Sequence, residues 1–196
     1  MNHSTPHPHR AVFLDRDGTL MEEVDYCRDP EKVRIFPGVP DALRALRAAG
    51  FRTLLVTNQS GIGRGKILPS EYEAVHRRLL ELLGPDTLDG WYMCPDTPDA
   101  ASLRRKPAPG MLLEAAGEWG LDLESCWMIG DKAIDVACAR AAGAAGILVK
   151  TGYGAREDVS GAVYTAEDVP DAVRWILARG VFSSAGGLLD APPTPP

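Results

Sequence analysis

The feature that most constrains this chain is a short apolar run, Ala11-Val12-Phe13-Leu14, that delivers two aspartates one residue apart, Asp15 and Asp17, into a Gly18-Thr19 turn. A run this short and continuous, with β-branched and aromatic members, reads as a strand buried on both faces of a parallel sheet. Open α/β sheets bind ligands beyond the carboxyl ends of their strands, so both carboxylates emerge where chemistry is placed. Two ionised carboxylates this close repel, and the pair calls for a hard cation between them or for one raised pKa. Magnesium suits the arrangement: it takes oxygen ligands, keeps several waters and commonly uses one or two carboxylates with a substrate phosphate. A calcium loop also begins D-x-D, but it needs an oxygen ligand and then glycine at its fifth and sixth positions, where Thr19 and Leu20 stand. An Asp-Gly turn without metal is the plainer alternative, and the downstream segments weigh against it.

Residues 21–37 show no clear period and read as a loop over the mouth of the site. A helix is expected over residues 40–49, with Leu43 and Leu46 inward and Gly50 as its stop. A second buried strand, 52–56, ends on Thr57 and Asn58. Ser70 with Glu73 three residues on spells a capping box, and Tyr72, Val75, Leu79, Leu80 and Leu83 fall on one face of the helix it opens. His76, on the same helix, is expected to pack rather than to catalyse. A strand at 90–93, a polar loop to Lys106, a helix over 111–119 and a strand at 126–129 follow, the last ending on Gly130 and Asp131. A helix over 133–142, strands at 146–149 and 163–164 and a helix over 168–178 complete the series. Such alternation predicts a doubly wound, Rossmann-like parallel sheet, and 196 residues suit one domain, placed at 11–180. Residues 1–10, with His3, His7 and His9 among prolines, and residues 181–196, rich in Gly, Ser and Pro, are expected to be flexible tails.

In a parallel sheet the strand ends carrying Asp15, Asp17, Thr57, Asn58 and Asp131 lie along one edge, where they can meet around one phosphate. A net charge of -6 argues against a nucleic-acid or anionic-membrane partner, so any affinity for anions must be local. The four cysteines have no CxxC spacing and read as free thiols. With no signal peptide or spanning segment in view, a cytoplasmic monomer is expected. The glycine-rich stretch Ser60-Gly61-Ile62-Gly63-Arg64-Gly65-Lys66 fits neither nucleotide pattern, since a P-loop needs glycine where Ser60 stands and Ser or Thr where Ile67 stands.

Four segments taken together, Asp15-Arg16-Asp17-Gly18-Thr19, Val56-Thr57-Asn58-Gln59-Ser60-Gly61, Arg105-Lys106-Pro107-Ala108-Pro109-Gly110-Met111 and Ile129-Gly130-Asp131-Lys132, resemble the haloacid dehalogenase (HAD) superfamily of phosphatases. More narrowly they are similar to its heptose-bisphosphate and histidinol-phosphate phosphatases, from about Val12 to Gly154. The resemblance implies a HAD-type sheet, here with no separate cap domain. It makes Asp15 the nucleophile that forms an aspartyl-phosphate, and Asp17 the general acid and base, with its pKa expected above that of Asp15. Asp131 would complete a magnesium site with the Asp15 carboxylate and the Asp17 carbonyl. Lys106, Thr57 and Asn58 would stabilise the phosphoryl oxygens, and Asp135 would orient Lys132 or its loop. Glu23, Val24, Asp25, Tyr26, Gln59, Ser60, Arg105 and Lys132 carry over as substrate contacts, the first four by position.

Heptose-bisphosphate phosphatases hold the loop before the Arg-Lys pair with a structural zinc. Here only Cys94 of that ligand set remains; Asp96 stands at the histidine position, and Ser102 and Arg104 at the later cysteine positions. Structural zinc is therefore not expected. The implied reaction is magnesium-dependent removal of the 7-phosphate of D-glycero-D-manno-heptose 1,7-bisphosphate, with Arg105, helped by Arg104, holding the second phosphate. Histidinol phosphate is the alternative substrate. A silent phosphometabolite-binding protein is the alternative of another class, and the complete set of Asp15, Asp17, Lys106 and Asp131 speaks against it.

Overall fold

In the computed structural model, which describes residues 9–180, strand β1 (Ala11–Leu14) sends Val12 and Leu14 into one hydrophobic layer and Ala11 and Phe13 into the other. A strand apolar on both faces must lie inside a sheet that helices cover on each side. With β2 (Arg52–Asn58), β3 (Gly90–Cys94), β4 (Trp127–Gly130), β5 (Ala145–Val149) and β6 (Tyr164–Ala166) it forms one parallel sheet in the order β3-β2-β1-β4-β5-β6. The chain builds outward from β1 in one direction and returns to build in the other, so the crevice beside β1 is the topological switch point where such sheets bind ligands.

Helix α1 (Val39–Ala48) buries Leu43 and Leu46 on the Val12 face. After the short turn α2 (Ser60–Gly63), helix α3 (Pro69–Leu83) adds Val75, Leu79 and Leu83 to the same layer. Helices α4 (Gly110–Trp119) and α5 (Ala133–Ala142) cover the Phe13 face, and α6 (Val169–Gly180) returns to pack beside α1. This is the expected doubly wound sheet. Residues 15–38 add two isolated bridges, Asp17–Met21 and Met21–Ile35, and a single 3-10 turn, Pro30–Lys32, so a loop and no separate domain lies over the strand ends.

The start of α3 differs from expectation. Pro69 takes the first helical position, where its missing N–H costs nothing, and Glu71 rather than Glu73 turns back, its Oε2 accepting from Leu68 N at 2.8 Å. Ser70 is therefore inside the helix and not its cap. Of the expected tails, residues 1–8 and 181–196 lie outside the described residues. His9 O accepts from Asp122 N, and Arg10 lies over the Phe51 ring while donating to Ala49 O.

Candidate active site

Asp15 leaves β1 directly into the crevice, its own N–H donating to Ile129 O at 3.0 Å. Lys106 is brought against it from 91 residues away: Nζ donates to Asp15 Oδ1 at 2.8 Å and to Val56 O at 2.9 Å, and stands 2.7 Å from Asp135 Oδ1 as an ion pair. Burial opposes the charge of Lys106, but the carboxylates of Asp135 and Asp15 outweigh it and hold the ammonium's pKa above its ordinary value. Asp135 thus serves Lys106 as well as the Lys132 backbone, whose N–H it accepts at 3.1 Å.

Asn58 has a second part to play beside the expected one. Its Nδ2 donates to Lys106 O at 3.0 Å and its Oδ1 accepts from Lys106 N at 3.1 Å. The amide positions Lys106, keeps one N–H unused and borders the cavity that opens onto this centre. Thr57 Oγ1 accepts from Gln59 Nε2 at 2.9 Å, which leaves its own proton to donate.

Between the two aspartates lies Arg16, which sequence reasoning assigned nothing and which is 1% exposed. Its Nε and Nη2 fork onto Asp17 at 3.0 and 3.1 Å, Nη2 also donates to Gln59 Oε1 at 3.1 Å, and its guanidinium lies 5.5 Å from the Tyr72 ring centroid. Gln59 Nε2 donates to Asp17 Oδ2 at 2.8 Å. Asp17 is therefore held by two side chains before any substrate arrives.

Asp131 ends β4 in full burial. Its Oδ2 accepts from Tyr153 N at 2.9 Å, whereas Oδ1 is buried without a hydrogen-bond partner. Gly18 and Gly152, both with positive φ, make room for it: a Cβ on either would lie 2.2 or 2.3 Å from Oδ2. Burial and the charge of Asp15 push the Asp131 carboxyl up to about 7. Oxygens of Asp15, Asp131 and Asp135 lie within 4.8 Å of one another, a concentration of negative charge that a hard cation relieves. Since Asp135 is engaged by Lys106 and the Lys132 N–H, Asp15 and Asp131 are the carboxylates best placed for it.

A cavity of about 210 Å³ opens onto this centre, and its lining includes the expected contacts Glu23, Val24, Asp25, Tyr26, Gln59, Ser60 and Lys132. Lys132 Nζ reaches Glu23 Oε2 at 3.1 Å and lies 4.7 Å from the Tyr153 ring centroid. Arg105 does not line the cavity: its Nη1 donates to Asp96 O at 2.9 Å, while Arg104 pairs with Glu114. The residues at the zinc-ligand positions bond one another instead. Cys94 Sγ donates to Asp96 Oδ2 at 3.4 Å and lies 3.6 Å from Ser102 Oγ, which in turn accepts from Arg104 N and Arg105 N.

A HAD-hydrolase-like family model matches residues 103–176. The chain is 43% identical to the D-glycero-D-manno-heptose-1,7-bisphosphate 7-phosphatase of Thermosynechococcus vestitus over 191 residues, covering 88% of this chain and 97% of that one. It is 37% identical to the D-glycero-beta-D-manno-heptose-1,7-bisphosphate 7-phosphatase of Yersinia pestis, covering 86% and 96%. The crystal structure of D,D-heptose 1,7-bisphosphate phosphatase from B. bronchiseptica complexed with magnesium and phosphate superposes with a TM-score of 0.80 at 30% identity, covering 87% of this chain and 99% of that one. Fold and site together define a HAD-type phosphatase, a hydrolase of phosphoric monoesters. Within that class the chain belongs to the D-glycero-D-manno-heptose-1,7-bisphosphate 7-phosphatase family.

Proposed function

We propose that this chain, with residues 11–180 as its catalytic domain, removes the 7-phosphate of D-glycero-D-manno-heptose 1,7-bisphosphate through an aspartyl-phosphate on Asp15, with magnesium as cofactor. The observation that carries the reaction is the buried Lys106–Asp15 pair facing the unpartnered Asp131 Oδ1; the activities of the two relatives support the substrate.

Lys106 occupies Asp15 Oδ1, which leaves Oδ2 to attack phosphorus while the ammonium offsets charge on the phosphoryl oxygens. As the bond between phosphorus and the sugar oxygen breaks, Asp17 gives a proton to the departing alkoxide. It then takes one from the water that hydrolyses the aspartyl-phosphate, which releases inorganic phosphate and restores Asp15. The fork from Arg16 and the Gln59 amide hold the Asp17 carboxyl for both transfers. Thr57 donates its free proton to a phosphoryl oxygen. Magnesium, held by the Asp15 and Asp131 carboxylates and the Asp17 carbonyl, shields the two anions that must approach.

The catalytic mouth is complete in one copy, and a monomer is the form we assign. No helix among the described residues is long and apolar enough to cross a membrane, and four buried free cysteines support a reducing, cytoplasmic setting. The test is Asp15→Asn with the heptose bisphosphate and magnesium, read as phosphate release and as phosphoenzyme trapped by rapid quench. Turnover should fall by at least about a thousandfold and the trapped species should vanish; turnover within tenfold of wild type would overturn the assignment.

A further inference from the structure

Between α3 and the edge strand β3 lies a cavity of about 630 Å³, apart from the catalytic mouth and of the size that takes a small ligand. The side chains of β3 alternate: Tyr92 and Cys94 enter the layer of Phe13, which turns Trp91 and Met93 to the α3 side. Along α3, Val75, Leu79 and Leu83 are taken up by the core, while Tyr72, His76 and Leu80 form the neighbouring stripe and face the cavity.

The wall is a file of rings. Tyr72 and His76 are stacked within 10°, with centroids 5.8 Å apart, and Trp91 lies tilted against His76 at 4.8 Å. Trp91 is 55% exposed, so part of its surface is open to a further ring, and as an exposed residue of an edge strand it is the movable part of the wall. Neither nitrogen of His76 nor the Tyr72 hydroxyl has a hydrogen-bond partner, although all three atoms are buried and His76 is only 7% exposed. Buried polar atoms of folded proteins are paired, and three unmet ones on two side chains of one wall point to a ligand that carries a polar group on its ring. The rim bears both signs of charge. Glu73 and Arg77, one turn apart on α3, line the cavity and are exposed, and among the described residues neither has an opposite charge within ion-pair distance.

One side chain joins this cavity to the chemistry. The Tyr72 ring centroid lies 5.5 Å from the guanidinium of Arg16, whose Nε and Nη2 hold Asp17. We propose that the cavity is an effector site for an aromatic amino acid whose ring carries an N–H or O–H. The ring lies against Trp91 with its polar hydrogen on His76, the ammonium meets Glu73, the carboxylate meets Arg77, and occupancy is felt at Asp17 through Tyr72 and Arg16. Binding there is independent of the phosphatase reading given above; the effect on turnover rests on it.

Calorimetric titration of the full chain, with magnesium present, by L-tryptophan should show one site with a Kd below about 1 mM. Indole, which has the ring without the charges, should bind about tenfold more weakly. Trp91→Ala and the double variant Glu73→Gln/Arg77→Gln should each weaken L-tryptophan about tenfold and leave turnover in its absence within about twofold of wild type. Saturating L-tryptophan should shift kcat/KM on the heptose bisphosphate by about fivefold or more in wild type and not in Trp91→Ala. No binding, indole as tight as L-tryptophan, unchanged affinity in either variant, or an unmoved kcat/KM at saturation would each overturn the effector site. A dimer in sedimentation that Trp91→Ala dissociates would give the cavity to a second copy and overturn it as well. Wild type that releases no phosphate fails the phosphatase reading, and the titration, which needs no turnover, then decides the site by itself.

Discussion

Asn58 holds the backbone of Lys106 at both ends, donating to its carbonyl and accepting from its N–H across 48 residues of sequence. The carboxyl end of β2 thereby fixes where the Lys106 ammonium enters the crevice, and one side-chain amide both borders the cavity and positions the lysine beside it.

Asn58→Ala should therefore misplace Lys106 without removing it. Losing a paired hydrogen bond of this kind costs about 1–3 kcal/mol of stability, and a shift of about 1 Å at Lys106 lowers kcat by up to a hundredfold. Lys106→Met should do worse in kcat, because it removes the charge outright. Steady-state kinetics beside urea unfolding separates the two; an Asn58→Ala enzyme with wild-type kcat would mean that Lys106 is placed by something else.

Asp17→Asn should slow the heptose bisphosphate far more than an activated aryl phosphate, since only a poor leaving group needs a proton in hand. Arg16→Met should show the same asymmetry more weakly, because it releases the fork on Asp17 and leaves the carboxyl in place. Equal losses on both substrates would remove Asp17 from the acid's role.

Gly152→Ala puts a methyl 2.3 Å from Asp131 Oδ2 at a φ of +56°. The strained backbone costs about 1–3 kcal/mol, and the displaced carboxylate should raise the magnesium concentration needed for half-maximal activity. A chelator should abolish wild-type turnover and magnesium alone should restore it. Recovery that required added zinc would contradict both the aspartate site and the hydrogen-bonded loop at Cys94, Asp96 and Ser102.

His76 predicts an acid sensitivity away from the chemistry. It stacks on Tyr72 and lies tilted against Trp91, and neither ring nitrogen has a partner. Burial and then the nearby charge of Arg16 push its pKa down to about 4. Between that value and the unfolded value near 6.5 the unfolded chain binds more protons, so stability rises with pH across this window and is lost as pH falls through it. The difference corresponds to roughly 3 kcal/mol at most. His76→Phe should flatten the slope of Tm against pH between about 4 and 6.5; an unchanged slope would assign it to other groups.

The β1 run and the two aspartates after it were legible because burial on both faces and a paired carboxylate each leave a local mark. Asp131 and Lys106 were legible through the motifs around them. The positioning done by Arg16 and Asn58 was not, because each acts through a partner chosen by side-chain direction; Asp135 accepts from the Lys132 N–H as expected, but its ion pair with Lys106 left no mark in the sequence. A charged residue flanked by two aspartates reads as solvated, yet Arg16 is buried by its fork onto Asp17 and by the Tyr72 face. The start of α3 differs for a local reason: Ser70 and Glu73 spell a cap, but Leu68 and Glu71 form one two residues earlier, with Pro69 opening the helix. Arg105, expected at a phosphate, donates one N–H to Asp96 O, a bond its place beside Lys106 in sequence did not announce.

The separation of 91 positions from Asp15 to Lys106, and the bond from Tyr153 N to Asp131, have a bearing on synthesis. A chain leaving the ribosome makes its nucleophile before the lysine that steadies it, and the amide that fixes the last aspartate comes later still. A nascent chain that stops short of Tyr153 lacks at least one of the groups that organise these carboxylates. Phosphoester cleavage therefore begins only after translation has passed Tyr153 and β4 has closed beside β1, and the onset of turnover in a cell-free synthesis would time the assembly of the sheet.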